Sequence, residues 1–556
     1  MINRRTFVKG LAAGSAAAGL GVWPSRGFAQ DSRTSQATLR GTDFDLRIAE
    51  APVNFTGAAR TGITVNGSIP APLVRWREGD TVTMRVANAL AEDTSIHWHG
   101  MILPANMDGV PGLSFHGIHP GETYTYKFTV RQGGTYWYHS HSGFQEQRGL
   151  YGPLVIDPRE PEPFQFDREH VVLLTDWTDE DPKRVFGKLK KQSDYYNHNR
   201  RDLGDFMKDV REQGFSKTMA DRRAWGTMRM TPTDLADVSG YTYTHLMNGV
   251  TPSGNWTGLF KAGERVRLRF INGSAMTYFD VRIPGLKMTV VAADGQYVHP
   301  VTVDEFRIAC AETFDMIVEP AGQDAFTIFA QAMDRTAYAA GTLAVREGLQ
   351  APVPALDARP LLTMTDMGHG PTGHEGHEMS GPMGEPHPAS ENSPLVDMQA
   401  MTPTARLSDP GLGLRDNGRR VLTYADLKST FADPDGRDPG RTVELHLTGH
   451  MERFAWSFNG VKFADAEPLR LTYGERLRIV LVNDTMMTHP IHLHGMWSDL
   501  EDEAGNFQVR KHTIDMPPGT KRTYRVRADA LGRWAYHCHL LFHMEAGMFR
   551  EVRVEE

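Results

Sequence analysis

Three stretches of the chain alternate apolar and polar residues in the same way. They are Gly79-Asp80-Thr81-Val82-Thr83-Met84-Arg85-Val86-Ala87-Asn88, Gly263-Glu264-Arg265-Val266-Arg267-Leu268-Arg269-Phe270-Ile271-Asn272 and Gly474-Glu475-Arg476-Leu477-Arg478-Ile479-Val480-Leu481-Val482-Asn483. A period of two places the apolar side chains on one face of a half-buried strand. Each stretch opens at a Gly turn and closes on an Asn. An Asn-Gly pair stands a little upstream of each: Asn66-Gly67, Asn248-Gly249 and Asn459-Gly460. Three copies of one β unit predict an all-β protein of three similar β-sandwich domains, over residues 38–165, 166–350 and 441–556.

Two stretches break this pattern. Residues 193–230 lack alternation, carry many charges and read as helical from Leu203 to Glu212. They are expected to be an insertion in the middle domain, placed to lie over another domain's surface. Met207, Met219, Met228 and Met230 of this insertion read as core residues first and metal contacts second. The second stretch is a linker over 351–440. It contains a segment, 364–388, with Met364, Met367, His369, His374, His377, Met379, Met383 and His387 among Gly, Pro and Glu. That composition cannot bury a core and is expected to be mobile.

Composition narrows the class. Length alone allows about three domains at ~150 residues each. The 54 Gly and 33 Pro suit a turn-rich β protein, and a net charge of −8 leaves no long basic face for nucleic acid. The only two cysteines are Cys310 and Cys538. Cys310 sits in an alternating run and reads as a buried small hydrophobe. At the N-terminus, Asn3-Arg4-Arg5-Thr6-Phe7-Val8-Lys9 resembles the twin-arginine export consensus. A short apolar stretch follows it, then a small-x-small cleavage site at Gly27-Phe28-Ala29. Residues 1–29 therefore read as a signal peptide and the mature chain as periplasmic. No apolar run approaches the ~20 residues of a membrane span.

The chemistry concentrates in four segments: His97-Trp98-His99, His139-Ser140-His141, His489-Pro490-Ile491-His492-Leu493-His494, and His537-Cys538-His539 followed by His543 and Met548. On a strand, His-x-His sends both rings to one face. The last segment sends Cys538 one way and His537 and His539 the other. Two imidazoles, a thiolate and a weak thioether are the donors of a blue-copper electron-transfer site. The outer two β units match further: Ile96–Gly100 parallels Ile491–Gly495, and Gly134–His141 parallels Gly532–His539, with Ser140 where Cys538 stands. Two His pairs from each of two related domains give eight imidazoles, enough for three ions. The middle unit has neither pair, and its His245 and His299 read as structural.

With these residues in place the chain resembles the multicopper oxidases over nearly its whole mature length. The resemblance implies cupredoxin-like Greek-key sandwiches and four coppers. It gives a type 1 ion on His489, Cys538 and His543 with Met548 axial, and a type 2 ion on His97 and His492. It gives a type 3 pair on His99, His139 and His539 and on His141, His494 and His537. It also implies a proton-delivering acid at Asp108, although Asp108 equally suits a plain turn before Gly109. Cys538, His537 and His539 would carry electrons between the sites. Where some relatives have a glutamate after the His543 position, this chain has Met544, followed by Glu545.

Within the family the chain is similar to periplasmic copper-resistance oxidases, through Asp194–Asn197, Ala220–Arg223, Thr231–Tyr241 and His543–Arg550. That resemblance implies a monomeric oxidase turning Cu(I) into Cu(II) at the expense of O2. Thioethers select Cu(I), so 364–388 is a candidate collector, against the competing reading of a solvated linker. A laccase acting on phenols and a copper-sequestering protein are the alternatives. A two-copper nitrite reductase would not need both His-x-His pairs.

Overall fold

The computed structural model describes residues 37–369 and 386–556, so the signal peptide read over 1–29 and the centre of the Met/His segment lie outside the described residues. Among the described residues the strands form six sheets, which fall along the chain into three consecutive pairs. The three alternating stretches occupy the same place in each pair. Thr81–Asn88 runs parallel to Asp43–Val53 and antiparallel to Thr123–Thr129. Val266–Asn272 does the same with Arg168–Trp177 and Thr313–Val318. Arg476–Asn483 does so with Arg441–His450 and Lys521–Arg527. Parallel neighbours joined by long connections and antiparallel neighbours in the same sheet mark a Greek-key sandwich. The fold is the cupredoxin-like all-β arrangement.

The repeated asparagines have one physical cause each. The strand-ending Asn88, Asn272 and Asn483 each donate from Nδ2 to two carbonyls across the strand end. These are Glu92 and Ile118, Thr277 and Ile308, and Met487 and Met516 respectively. Each also accepts, on Oδ1, the backbone N–H two residues on. Buried backbone carbonyls leaving a sheet need such a partner. The Asn of each Asn-Gly pair has φ near +50°, at 53°, 51° and 53° for Asn66, Asn248 and Asn459. Its Gly is also positive, as the tight hairpin turn requires.

The insertion is helical over Leu203–Gln213 and Phe215–Met228. The first helix is closed by a capping box between Asp202 and Asp205. Two of its four methionines depart from the expectation of core packing, whereas Met230 and the half-buried Met228 pack against the core. Met207 and Met219 are exposed, at 48% and 45%, and Met230 alone of the four is buried. The neighbourhood does lie on another domain. Arg229 pairs with Glu452 at 2.9 Å, and Lys190 donates to the Phe454 carbonyl at 2.7 Å.

The linker is a second correction. The described part of 351–440 contains no strand, yet it packs. Leu362, Met367, Met398, Ala400, Leu414 and Leu427 are buried. Met367, expected in a mobile segment, is wholly enclosed, and Met364 packs against the core beside it. Two features hold it there. Thr363 caps a turn through Asp366, and Gly519 lies so close to Met367 and Gly368 that a Cβ on it would collide with their backbone. Arginine–carboxylate pairs such as Arg419 with Glu305 and Arg415 with Asp366 fix the rest. Composition predicts poor burial because it counts apolar residues and not such anchors.

Candidate metal centre

The strands carry the histidines to two places. His97–His99 pairs with Gly134–His139 so that His97 lies opposite His139. His489–Leu493 pairs with Gly532–Cys538 so that His492 lies opposite His537 and Ile491 opposite Cys538. The alternation of strand side chains then separates Cys538 from its neighbours. Its sulfur faces His489 Nδ1 at 3.5 Å and His543 Nδ1 at 3.8 Å. Met548, wholly buried, accepts the Cys538 N–H on its backbone carbonyl at 3.1 Å. The short helix Leu541–Glu545 between them turns His543 back onto the strand.

On the other face, the first and third domains meet. His494 Nε2 and His141 Nε2 lie 3.0 and 3.3 Å from His537 Nε2. His539 Nε2 lies 3.3 Å from His139 Nε2. The His99 and His492 rings stack at 3.9 Å, and those of His97 and His494 at 4.0 Å. The eight imidazoles of the four His-x-His pairs converge, and all but His141 are buried. A cleft of about 750 Å3, lined also by Pro111, Gln145 and Asp179, reaches His141 from outside.

The outer hydrogen bonds decide which nitrogens are bare. His494 Nδ1 meets Asp108 Oδ2 at 2.9 Å and His537 Nδ1 meets the Cys538 carbonyl at 2.9 Å. Both partners are acceptors, so each Nδ1 carries the proton and each Nε2 presents a lone pair. Burial keeps these rings neutral by lowering their pKa values, to about 4 for His537. Two lone pairs facing at 3.0 Å repel unless a cation lies between them. His97 and His492 repeat the pattern. Their Nδ1 atoms donate to the carbonyls of Asp108 and His512 at 2.7 and 2.6 Å, and their Nε2 atoms are buried without a partner. His99 Nδ1 and His539 Nδ1 are likewise orphaned. At the sulfur site, His543 Nε2 donates to Asp237 Oδ2 at 2.8 Å, which bares Nδ1 toward His489 Nδ1 at 3.1 Å. Burial pushes the Cys538 thiol well above its ordinary range, so a bound cation is what would draw off its proton. Orphaned buried nitrogens, opposed lone pairs and a thiol–diimidazole set fit copper.

Asp108 bridges the domains. Its backbone carbonyl holds His97 and its carboxylate holds His494, and it is buried. The turn reading also describes it, because a Cβ on Gly109 would strike the Ile96 carbonyl. Glu545 is exposed and meets neither site. A different carboxylate, Glu146, lies buried 2.7 Å from His139 Nδ1, with its pKa raised well above the usual range by burial. Sequence reading missed Glu146, Asp237, Thr485 (2.7 Å from His489 Nε2) and His512 (3.2 Å from His99 Nε2). Only Asp237 lay in a stretch already singled out. Cys310 is buried and its thiol donates to the Thr277 carbonyl at 3.4 Å. His245 packs edge-on against Phe279, and burial lowers its pKa to about 3.

Models of multicopper oxidase domains match residues 47–161, 168–348 and 436–556. A copper resistance protein A homolog of Pseudomonas syringae pv. tomato is 68% identical, over 100% of this chain and 99% of its own. Copper resistance protein A of Escherichia coli is 65% identical with the same coverage. Multicopper oxidase MmcO of Mycobacterium tuberculosis is 30% identical over 90% of this chain and 84% of its own. Among solved structures, the multicopper oxidase Fet3p superposes with TM-score 0.67 at 19% identity, covering 93% of this chain and 90% of Fet3p.

Proposed function

The chain belongs to the multicopper oxidase family, and from that premise we propose that it is a periplasmic cuprous oxidase for copper tolerance, oxidising Cu(I) to Cu(II) and reducing O2 to water. The observation that carries this reading is the single strand Gly532–Cys538, whose two faces serve two different donor sets. The 65–68% identity to copper resistance proteins supports copper tolerance as the role.

The residues that would hold copper are His489, Cys538, His543 and Met548 for one type 1 ion, and His97 and His492 for a type 2 ion. His99, His139 and His539, with His141, His494 and His537, would hold a type 3 pair. Copper held there would supply one-electron redox chemistry, which the four-electron reduction of O2 by a one-electron donor requires. The chain supplies the path. Cys538 joins the two faces through its own backbone, and the His537 ring donates back to the Cys538 carbonyl. Asp237, from the middle domain, holds His543 at Nε2 and fixes the ring toward the sulfur. Asp108 and Glu146 hold His494 and His139 in the tautomer that bares Nε2, and from those places they would relay protons to reduced oxygen. Burial of seven of the eight imidazoles excludes water except along the cleft at His141.

Residues 38–165, 166–350 and 441–556 serve as the three domains of a monomer. The Asn3–Lys9 motif serves as its twin-arginine export signal, and no helix among the described residues is long and apolar enough to cross a membrane. Because Met367 is part of the core, deleting 370–385 tests the collector without unpacking the linker. Cu(I)-driven O2 uptake is expected to fall while phenol oxidation stays. If neither rate moves, the collector idea fails; if Cu(I) drives no O2 uptake in the intact protein, the cuprous oxidase reading fails.

A further inference from the structure

A second group of imidazoles and carboxylates lies apart from these sites. His446 is on the strand Arg441–His450, Asp484 follows the strand Arg476–Asn483, and Glu391 closes the short turn Ala389–Glu391. His387, four residues before Glu391, completes it. His387 Nδ1 lies 3.0 Å from Glu391 Oε2 and 3.3 Å from Asp484 Oδ2. His446 Nδ1 lies 2.6 Å from Asp484 Oδ2 and 3.4 Å from Glu391 Oε1. Two ring nitrogens and two carboxylates thus face one another. The side chains of Glu391, His446 and Asp484 are wholly buried and that of His387 is 13% exposed.

The cluster is under-satisfied and supported from behind. Glu391 Oε1 and His387 Nε2 are buried with no hydrogen-bond partner. Behind the donors, His446 Nε2 meets Glu444 Oε1 at 3.3 Å and Gln399 donates to Glu391 Oε2 at 3.1 Å. The Ala400 N–H donates to Asp484 Oδ1 at 2.7 Å. A carboxylate behind a ring whose other nitrogen faces a donor cluster is how metal-binding imidazoles are oriented.

We propose that His387, Glu391, His446 and Asp484 form a binding site for a divalent transition-metal ion, Cu(II) in the working protein. The donors are two imidazoles and two carboxylates with no sulfur, which disfavours Cu(I) and suits a divalent ion. The two carboxylates balance its charge while the rings stay neutral. In the absence of metal the same balance is met by protons. The hydrogen bond to Asp484 is the first cause that raises His387, to about 9, and His446 is raised by the same aspartate against its burial. Among first-row divalent ions such a set binds Cu(II) most tightly. Only the choice of copper rests on the cuprous oxidase reading. The location agrees with it: Asp484 precedes Thr485, whose hydroxyl meets His489, so the ion would lie close to where Cu(II) is formed.

The test counts Cu(II) on copper-replete protein cleared of loose metal and dialysed against Cu(II), beside the variant His387→Gln/Glu391→Gln. The wild type is expected to hold one Cu(II) per chain more than the variant, and the difference between their paramagnetic resonance spectra is expected to show the nitrogen coupling of that extra ion. The thiolate-to-copper absorption should be equal in both. Equal Cu(II) uptake overturns the site. If the double variant loses the absorption and so has not folded, Glu391→Gln alone decides. An affinity about tenfold weaker or more supports the site, and unchanged affinity overturns it. Zn(II) binding as tightly as Cu(II) overturns the assignment to copper. No step of this test measures Cu(I) oxidation, so its failure and that of the oxidase reading are separately visible.

Discussion

The first and third domains carry the same frame with different contents. In the first, Ser140 donates its N–H to the Leu150 carbonyl at 3.0 Å; in the third, Cys538 donates to Met548 at 3.1 Å. Five residues beyond each stands the next partner, Gln145 in one and His543 in the other. Thr94, ahead of His97, corresponds to His489, ahead of His492. So Thr94, Ser140, Gln145 and Leu150 stand where His489, Cys538, His543 and Met548 stand. In the first domain both hydroxyls donate to Gln145 Oε1, at 2.6 and 3.0 Å, and the group is closed on itself. In the third, two bare Nδ1 atoms face a sulfur and each other, and the one thiol proton can serve only one of them. The backbone supplies the position twice. The side chains decide whether it holds hydrogen bonds or asks for a cation. On the opposite face both domains keep their His pair, and each pair is incomplete without the other domain.

The largest effect should come from making the third domain like the first at one atom. Cys538→Ser removes the thiolate and keeps the strand. The intense thiolate-to-copper absorption and the oxidase activity should both vanish, while copper falls by one ion per chain and the fold persists. A variant that kept the absorption would end the assignment of the sulfur site. The reverse change sharpens the comparison. Thr94→His, Ser140→Cys, Gln145→His and Leu150→Met together should add one copper and a second thiolate-to-copper absorption. If copper counting and the visible spectrum show no gain, the two frames are equivalent in backbone only.

A smaller effect is expected where the two domains are joined rather than contrasted. Asp108→Asn keeps the backbone carbonyl that holds His97 but removes the charge beside His494. Loss of such an outer partner typically costs about 10–100-fold in activity. O2 reduction should slow by that factor with the thiolate absorption unchanged, since the sulfur site does not touch Asp108. Stopped-flow reoxidation against the visible spectrum separates the two. A parallel loss of absorption would mean that the faces are not independent.

The parts of this arrangement differ in how far the sequence reveals them. Strand period and the strand-ending asparagines are local, so the three β units and the His-x-His pairs are readable in a few residues each. The split of Cys538 from His537 and His539 follows from alternation alone. The outer hydrogen bonds do not. Asp237 reaches His543 across 306 positions and His512 reaches His99 across 413. No spacing encodes contacts made only after the domains pack. The linker fails for a related reason. Met367 is buried because Gly368 and Gly519 allow two backbones to touch, a property of the assembled domains and not of the segment's composition.

The smallest change probes whether the first domain's frame is still functional or merely filled. Ser140→Ala deletes one of the two hydroxyls on Gln145 Oε1 and leaves the Thr94 bond in place. The Ser142 N–H, which also uses the Ser140 hydroxyl at 3.1 Å, loses an acceptor. A net hydrogen bond is worth about 1 kcal/mol, and a donor left unsatisfied costs about 1–3 kcal/mol. Ser142 is half-buried, so water can replace its partner, and the expected loss lies near 1 kcal/mol by denaturant unfolding. Backbone position is set by the strand pairing of His97 with His139, which the substitution does not touch. His139 and His141 should therefore stay in place, with copper content and O2 reduction unchanged. An effect on O2 reduction out of proportion to that stability loss would show that the hydroxyl group of the first domain, and not its strand alone, positions the shared cluster.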